Sequence, residues 1–545
     1  MSYRIAIAGF GPRGLGALEA LLKQLHGQAA DLSIDIFEPG PAPGAGPNYD
    51  PDQSPLCPLN LPLRGLWLPR AEHCGSAFRD FAECLPEDER DPDAFLPRAR
   101  IGAYFADRFA HLRAHLPGNF RLSLHDHRVT RLMPADGGAG GWMAAAAGAE
   151  FGPYDEVLLT LGQPESEADG QLARWQAHAR ETGAALLSAY PASRLLAAAE
   201  SWQGKVVAVR GLGLSAFDVL RMLTQGLGGR FTEQGYLRSG REPARICPFS
   251  LDGQPPAPKP ATAAVDDLFR PLAEETRVFE QNLEKALSLA PGPALDLICE
   301  ALQAPLERIL AGRSTPAEIR GWLCDGQDTP AGRGSAPVAE FLEDTIAMAR
   351  GDTPPSPGYA AAQLWQNWLE SFREVFAASD PERETAKAVA GFDGRLMPYA
   401  YGPPVSAAEE LLALIRAGIA DLRAVEDPDV RLVPHGWQLA EGADEITAEV
   451  MVDAVLAAPA IARTREPLLQ ELLAAGLLHP VDEGLGAATG EGGQALSRAG
   501  EPVAGLSVLG RMAKGSAVAV DSLHDCFGAT AVNWAEGAAR RITAG

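Results

Sequence analysis

Two strand–glycine–helix units, at residues 4–22 and 205–223, and a long block of helical periodicity between 262 and 420 predict an α/β fold. The expected architecture is two Rossmann-like dinucleotide-binding domains carrying a mainly helical insertion. In the first unit Ile5, Ala6, Ile7 and Ala8 read as a buried strand, and Leu15, Leu18, Leu21 and Leu22 recur at helical spacing. Between them Gly9, Gly11, Pro12, Arg13 and Gly14 are the expected pyrophosphate-binding turn. Glycines at these spacings allow a tight turn, close backbone approach and close helix–strand packing. The anion would rest on the helix N-terminus, where free N–H groups and the helix dipole favour negative charge. The next strand, LSIDIF, leads to Glu38, an acid placed to accept hydrogen bonds from both ribose hydroxyls of an adenine nucleotide.

Residues 41–70 form a long segment dense in Pro and Gly, and long loops within compact domains are usually functional. In a flavoprotein this stretch would wrap the pyrophosphate and pass the isoalloxazine ring, with Asn60 the polar residue nearest it. Short strands then follow from Phe120 to the returning strand EVLLTLGQP. Its end, Thr160-Leu161-Gly162, resembles the Ala-Thr-Gly strand end of flavoproteins with two dinucleotide sites. His125 and His127 flank Asp126, but nothing supplies a third metal ligand, so surface histidines are expected.

The second unit runs from Val206–Val209 through Gly211, Gly213, Ser215 and Ala216 into a helix. Alanine at the third glycine position loosens the packing and is common where NADP is preferred. Arg238 and Arg241 follow a strand where an acid would otherwise be sought, and guanidinium groups pair bidentately with phosphate. Two fingerprints therefore point to FAD in the first site and NADPH in the second.

Residues 262–420 show helical apolar spacing broken by Pro and Gly, with Trp365, Trp368 and Phe372 forming a stripe that reads as core. In VDAVLAAPAIAR, Ala457-Ala458-Pro459 replaces the usual Thr-Gly of a second strand end. Near the C-terminus a strand ending at Gly510 and a closing helix resemble flavoproteins of this plan, in which that strand end brings backbone N–H groups to the flavin and the closing helix completes the FAD domain. His524 and Asp525 lie beside it and are read as structural. The expected division is 1–165 with 466–545 for FAD, 190–261 with 421–465 for the nicotinamide, and 262–420 as a cover over the active site.

With 47 basic and 71 acidic residues the net charge is −24, which argues against nucleic acid or an anionic membrane as partner. The seven cysteines (57, 74, 84, 247, 299, 324 and 526) contain no CxxC or CxxxxC pair. A disulfide framework, a zinc site and a redox dithiol are thereby disfavoured. No apolar run spans a bilayer and no signal peptide is recognised, so a cytoplasmic location is expected.

The stretches AGFGPRGLGALEAL, FLPRARIGAYF, RGLGLSAFDVLRMLTQGLGGRF and RSGREP resemble the bacterial FAD/NAD(P)-binding protein family. That family is similar in plan to class B flavin monooxygenases and amino-acid N-hydroxylases. The resemblance implies hydride transfer from NADPH to FAD and oxygen transfer through a flavin hydroperoxide to a small amine or amino acid, with aspartate a candidate. Partners would then be a small-molecule substrate and molecular oxygen, and an acidic substrate would need arginines, for which Arg64 and Arg70 are placed by loop position. Two other readings stay open: an NAD(P)H dehydrogenase passing electrons to a partner or small acceptor, and a non-catalytic FAD-binding sensor.

Overall fold

The computed structural model describes residues 2–28, 30–73, 76–135, 141–325, 337–379 and 381–544. Cys74 lies outside them, and the other six cysteines are free thiols.

The first parallel sheet is built on the strand Tyr3–Ala8, flanked by Leu32–Phe37 and Glu156–Leu159. Phe120–His125 extends it on one side and Pro502–Val508 on the other, with Gln494–Leu496 as an antiparallel edge. Alternation along Tyr3–Ala8 divides its side chains between two cores. Ile5 and Ile7 pack with Leu15, Leu18 and Leu22 of the following helix, while Ala6 and Ala8 pack toward Trp142, Tyr154 and Val508 on the other face. The closing helix Ala529–Ala544 buries Trp534, Ala535 and Ala538 against the helix Pro12–Gln24. Both ends of the chain therefore build this unit.

The second sheet has the order Ala185–Ser188, Val450–Asp453, Val206–Arg210, Arg245–Phe249, all parallel. It begins ahead of the expected boundary at 190. The helix Gly170–Thr182, capped by Asp169 accepting from the N–H groups of Gln171 and Leu172, already lays Trp175 against Ala208 and Cys247. Two chain crossings join the sheets and pair with each other: Glu167 N–H donates to Arg463 O and Arg465 N–H to Glu165 O, both at 2.7 Å.

The insertion is helical, from Ala273–Ala286 to Val405–Arg416. Trp365, Trp368 and Phe372 are fully buried in it, as a core stripe should be. Phe279 stacks on Trp368 at 4.4 Å, and the two indole N–H groups donate to Asp393 (2.8 Å) and Thr276 (3.0 Å). Its apolar core is continuous with one face of the second sheet and reaches Val518 near the C-terminus.

Candidate active site

At the first fingerprint, Gly9 adopts φ +79°, and a Cβ there would stand 2.8 Å from the Thr160 carbonyl oxygen. A Cβ on Gly14 would meet Phe10, Gly9 O and Thr160 Oγ1 at 2.9–3.1 Å, so this glycine lets the helix seat against the sheet. Gly11 differs: its φ is −83°, and a Cβ would meet only Gly46, at 3.5 Å. No side chain caps the helix Pro12–Gln24, so its first N–H groups are left for a ligand. Glu38 is held in place by Phe10 N–H at 2.6 Å and Gly40 N–H at 2.8 Å, one on each carboxylate oxygen. Thr160 donates from its hydroxyl to Gly9 O, and Gly162 (φ +67°) follows directly. The structure thus brings Gly9, Gly11, Pro12, Gly14, Glu38 and Gly162 to the carboxyl end of one sheet. An uncapped helix N-terminus at a glycine turn and a fixed acid beyond the next strand fit an adenine dinucleotide such as FAD.

Arg13 serves a different purpose from the one expected. It is buried, and its guanidinium pairs with Asp525 at 2.5 Å and donates to Val520 O and Thr530 Oγ1, each at 3.2 Å. It fastens the C-terminal segment to the fingerprint, and Asp525, fully buried, is its structural counter-ion. Gly510 (φ +84°) is required there because a Cβ would stand 2.5 Å from Arg13 Nε. Asn60 is half-buried in the long loop.

Neither arginine of that loop is free for a substrate at the place expected. Arg64 is consumed by Asp93 (2.5 Å), Asp266 (3.4 Å) and Pro260 O (2.9 Å), which tie the loop to the start of the insertion. Arg70 is exposed beside Pro69, whose carbonyl accepts from Arg108 next to Glu19, two turns along the first helix and away from its N-terminus. His125 stacks on Phe37 at 4.7 Å and faces Asp35 at 3.3 Å, and no metal-ligand cluster occurs among the described residues.

At the second fingerprint Gly211 (φ +104°) lies against Ala454 and Val455, and around Gly213 there is open space within 4 Å. Ser215 and Ala216 open the uncapped helix Leu214–Leu223, which again leaves N–H groups for a phosphate. Arg238 and Arg241 require correction. They sit on a hairpin and turn preceding Arg245–Phe249, and Ala244 N–H donates to Lys205 O at the amino end of the fingerprint strand. Dinucleotides bind outside the carboxyl ends of parallel strands, so these arginines are a full strand length away. Arg241 donates instead to Leu227 O at 2.8 Å. The carboxyl end carries Ser250, Leu251 and Asp252, with Leu251 84% exposed, and Val455 and Leu456 are also exposed beside the glycines. Exposed apolar side chains at such an edge suit an adenine or nicotinamide ring.

Two clusters went unrecognised in the sequence. Arg98, on the helix Arg98–Ala114, pairs with Asp218 of the second fingerprint helix, and the Tyr190 hydroxyl donates to the same carboxylate at 2.5 Å. Asp218 pairs the two nucleotide units across their boundary. The second cluster is Lys259, Arg373 and His524, where insertion and C-terminal segment meet. Its signal was a single lysine within GQPPAPKP, a run the fold buries completely.

Two Rossmann-type sheets, each presenting a glycine turn and an uncapped helix, are the architecture of a flavoprotein with two dinucleotide sites. The model of the FAD-NAD(P)-binding family matches residues 6–164, the first unit of the chain. Over 87% of its length the chain is similar to the nitrosuccinic acid synthase npaA of Aspergillus oryzae, at 26% identity over 82% of that protein. It is also 27% identical to an L-aspartate N-monooxygenase (nitrosuccinate-forming) of Streptomyces davaonensis and 25% to one of Streptomyces cremeus, covering 85% and 82% of them. Among solved structures, OTEMO complexed with FAD and NADP aligns with a TM-score of 0.46 at 13% identity, covering all of this chain and 85% of that one. Lysine monooxygenase NbtG from Nocardia farcinica aligns at 0.37 and 13%, covering 97% and 98%.

Proposed function

We propose that the protein is an FAD- and NADPH-dependent N-monooxygenase that hydroxylates the amine of a small amino acid, with L-aspartate the favoured substrate. The observation that carries this reading is similarity over 87% of the chain to three relatives named for nitrosuccinate formation, joined to a fold with two dinucleotide-type sheets. FAD, reduced by the nicotinamide, supplies activated oxygen to a neutral amine when bound. The chain's own part is to bind, orient and exclude water. Gly9, Gly11, Pro12, Gly14 and Glu38 hold the pyrophosphate and ribose of FAD, with Asn60, Gly162 and Gly510 lining the approach to its ring. Gly211, Gly213, Ser215 and Ala216 hold the nicotinamide nucleotide.

The helical insertion closes the site from solvent. Support for this comes from Arg373, which reaches out of the helix Pro357–Ala377 to donate to Ala519 O (3.3 Å) just beyond Gly510. Dry surroundings protect reactive oxygen from water and strengthen every polar contact to the substrate. Free thiols and the absence of a membrane-length apolar helix among the described residues support work in the reducing cytoplasm.

The test is oxygen consumption by the FAD-loaded protein with NADPH across a panel of amines and amino acids, with product identified by mass. Aspartate-dependent oxygen use with an N-oxidised product and little peroxide is expected. Rapid reduction of an external acceptor, with no N-oxidised product from any amine, would instead make it a dehydrogenase.

A further inference from the structure

Behind the insertion two buried polar side chains and one half-buried histidine have hydrogen-bonding capacity to spare. Lys259, 5% exposed, donates from Nζ only to Ala400 O (3.0 Å) and Gln366 Oε1 (3.4 Å), and the Tyr401 ring centroid lies 5.9 Å away. No carboxylate among the described residues lies within ion-pair distance of it. Arg373, 3% exposed, pairs through Nη1 with Glu370 (2.8 Å) and through Nε with Ala519 O, but its buried Nη2 has no partner. His524 Nε2 is likewise buried and unpartnered.

These groups are neighbours. The ring of His524 contacts the Gly65 backbone, and the charges of both Arg373 and Lys259 act on it. Arg64, next to Gly65, donates to Pro260 O, adjoining Lys259. Arg373 is anchored to Ala519, in the segment that leads from Gly510 to His524. The long loop of the first unit, the buried proline run, the insertion and the post-Gly510 segment all converge here, on the side where the flavin ring is proposed to lie. Nearby acids are already committed: Asp521 to Arg511 and Lys514, Asp393 to Trp365, Asp525 to Arg13 and Asp266 to Arg64.

Burial of a cation without a carboxylate is costly, and the cost is recovered when an anion binds. We infer that Arg373 and Lys259 receive the two carboxylates of a short dicarboxylic amino acid and that His524 Nε2 receives its amine, forming the substrate site of the proposed reaction. The inference rests on the N-monooxygenase reading for the amine, whereas the call for carboxylates comes from the Lys259 ammonium, which has no carboxylate partner among the described residues, and from the free Nη2 of Arg373, whose other edge is held by Glu370. Burial holds His524 neutral at physiological pH, its pKa lowered to about 4. A neutral imidazole with a free Nε2 can accept a hydrogen bond from the substrate amine.

The test is calorimetric titration of the full-length, FAD-loaded protein with L-aspartate, succinate as an amine-free dicarboxylate, and L-alanine as a monocarboxylate. The wild type should bind aspartate and, more weakly, succinate, with alanine at least tenfold weaker than aspartate, by about the loss of one charge-assisted contact. Arg373→Gln and Lys259→Met should each weaken both dicarboxylates by about thirtyfold or more, while the exposed Arg277→Gln leaves them unchanged. His524→Phe should weaken aspartate more than succinate. If Arg373→Gln loses FAD, Lys259→Met alone decides, because its ammonium touches only a carbonyl and an amide. Dicarboxylate affinity within about threefold of wild type in Lys259→Met, or in an Arg373→Gln protein that retains FAD, overturns the site. Coupled hydroxylation of some other amine, unaffected by these variants, would keep the monooxygenase reading and discard this site. Succinate binding lost in both variants, with no N-oxidised product from the wild type, would keep the site and discard that reading.

Discussion

Gly11→Ala separates the needs of the cofactor from those of the fold. At Gly11 the backbone is extended, with φ −83°, and an added Cβ meets Gly46 at an ordinary 3.5 Å, so the polypeptide accommodates alanine without strain. Loss of unfolded-chain entropy should even favour the apoprotein by about 0.4–1 kcal/mol. The same methyl adds bulk at the glycine turn where a pyrophosphate is proposed to approach the helix N-terminus. Charge-assisted hydrogen bonds contribute about 1.5–3 kcal/mol each, so losing one predicts FAD affinity roughly ten- to hundredfold weaker. Gly14→Ala should behave in the opposite way. Its Cβ meets Phe10, Gly9 and Thr160 at 2.9–3.1 Å, and overpacking of this kind costs about 1–3 kcal/mol in the apoprotein. Urea denaturation of both apoproteins, with flavin-fluorescence titration of FAD binding, reads the two effects independently. A Gly11→Ala protein that binds FAD as tightly as wild type, or whose apo form is the less stable of the two, would refute the placement of the pyrophosphate.

Replacing Arg238 and Arg241 together with alanine should change the KM for NADPH by less than about twofold, because both lie at the amino end of the sheet; a selective loss of NADPH over NADH would contradict that placement. Arg98→Met should cost about 3–5 kcal/mol in chemical denaturation by leaving Asp218 buried and uncompensated, and Arg98→Met with Asp218→Leu should recover much of it. Lys259, with burial lowering its pKa from 10.5 to about 8 against a weaker opposing effect of Asp266, binds fewer protons when folded than when unfolded between those values. Stability contributed at this site should therefore be lowest below pH 8 and rise by roughly 3 kcal/mol toward pH 10.5, a slope absent from Lys259→Met. His524, lowered from 6.5 to about 4 by burial, Arg373 and Lys259, should make the protein lose stability as pH falls from 6.5 to 4, and His524→Phe should flatten that limb.

Local pattern carried the sheets and fingerprints because each rests on short-range physics. Alternation from Ile5 to Ala8, glycines at 9, 11 and 14, and an acid after the next strand specify one turn with little help from the rest of the chain. The strand Pro502–Val508 and the helix Ala529–Ala544 join the first sheet and its core, the place the sequence reading gave the C-terminal strand and helix. What failed was direction and pairing. Arg238 and Arg241 follow a strand in sequence, but that strand belongs to a hairpin outside the parallel sheet, so the inference attached them to the wrong end. Arg64 and Arg13 looked available because their partners, Asp266 and Asp525, lie 202 and 512 residues away along the chain. No spacing rule reaches across such distances.

Lys259 and Arg373 show why the most informative residues of this site were the least visible. A lysine among prolines and an arginine within an aromatic helix carry no motif, and each becomes unusual only when four distant segments enclose it. The cost of that enclosure is itself the argument for function. A surface lysine is solvated for nothing, whereas Lys259 gives up water for one carbonyl, one amide and the nearby Tyr401 ring. An apolar residue of similar volume would pack the same space without the penalty, so stability gives no reason to keep an ammonium there. An anion arriving from solvent does, because it finds cations already desolvated and oriented and need not reorganise them. The same arrangement explains the insertion's position. On the proposed reading, an insertion that caps both the cations and the approach to the flavin site would make recognition of the carboxylates and exclusion of water consequences of one packing interface.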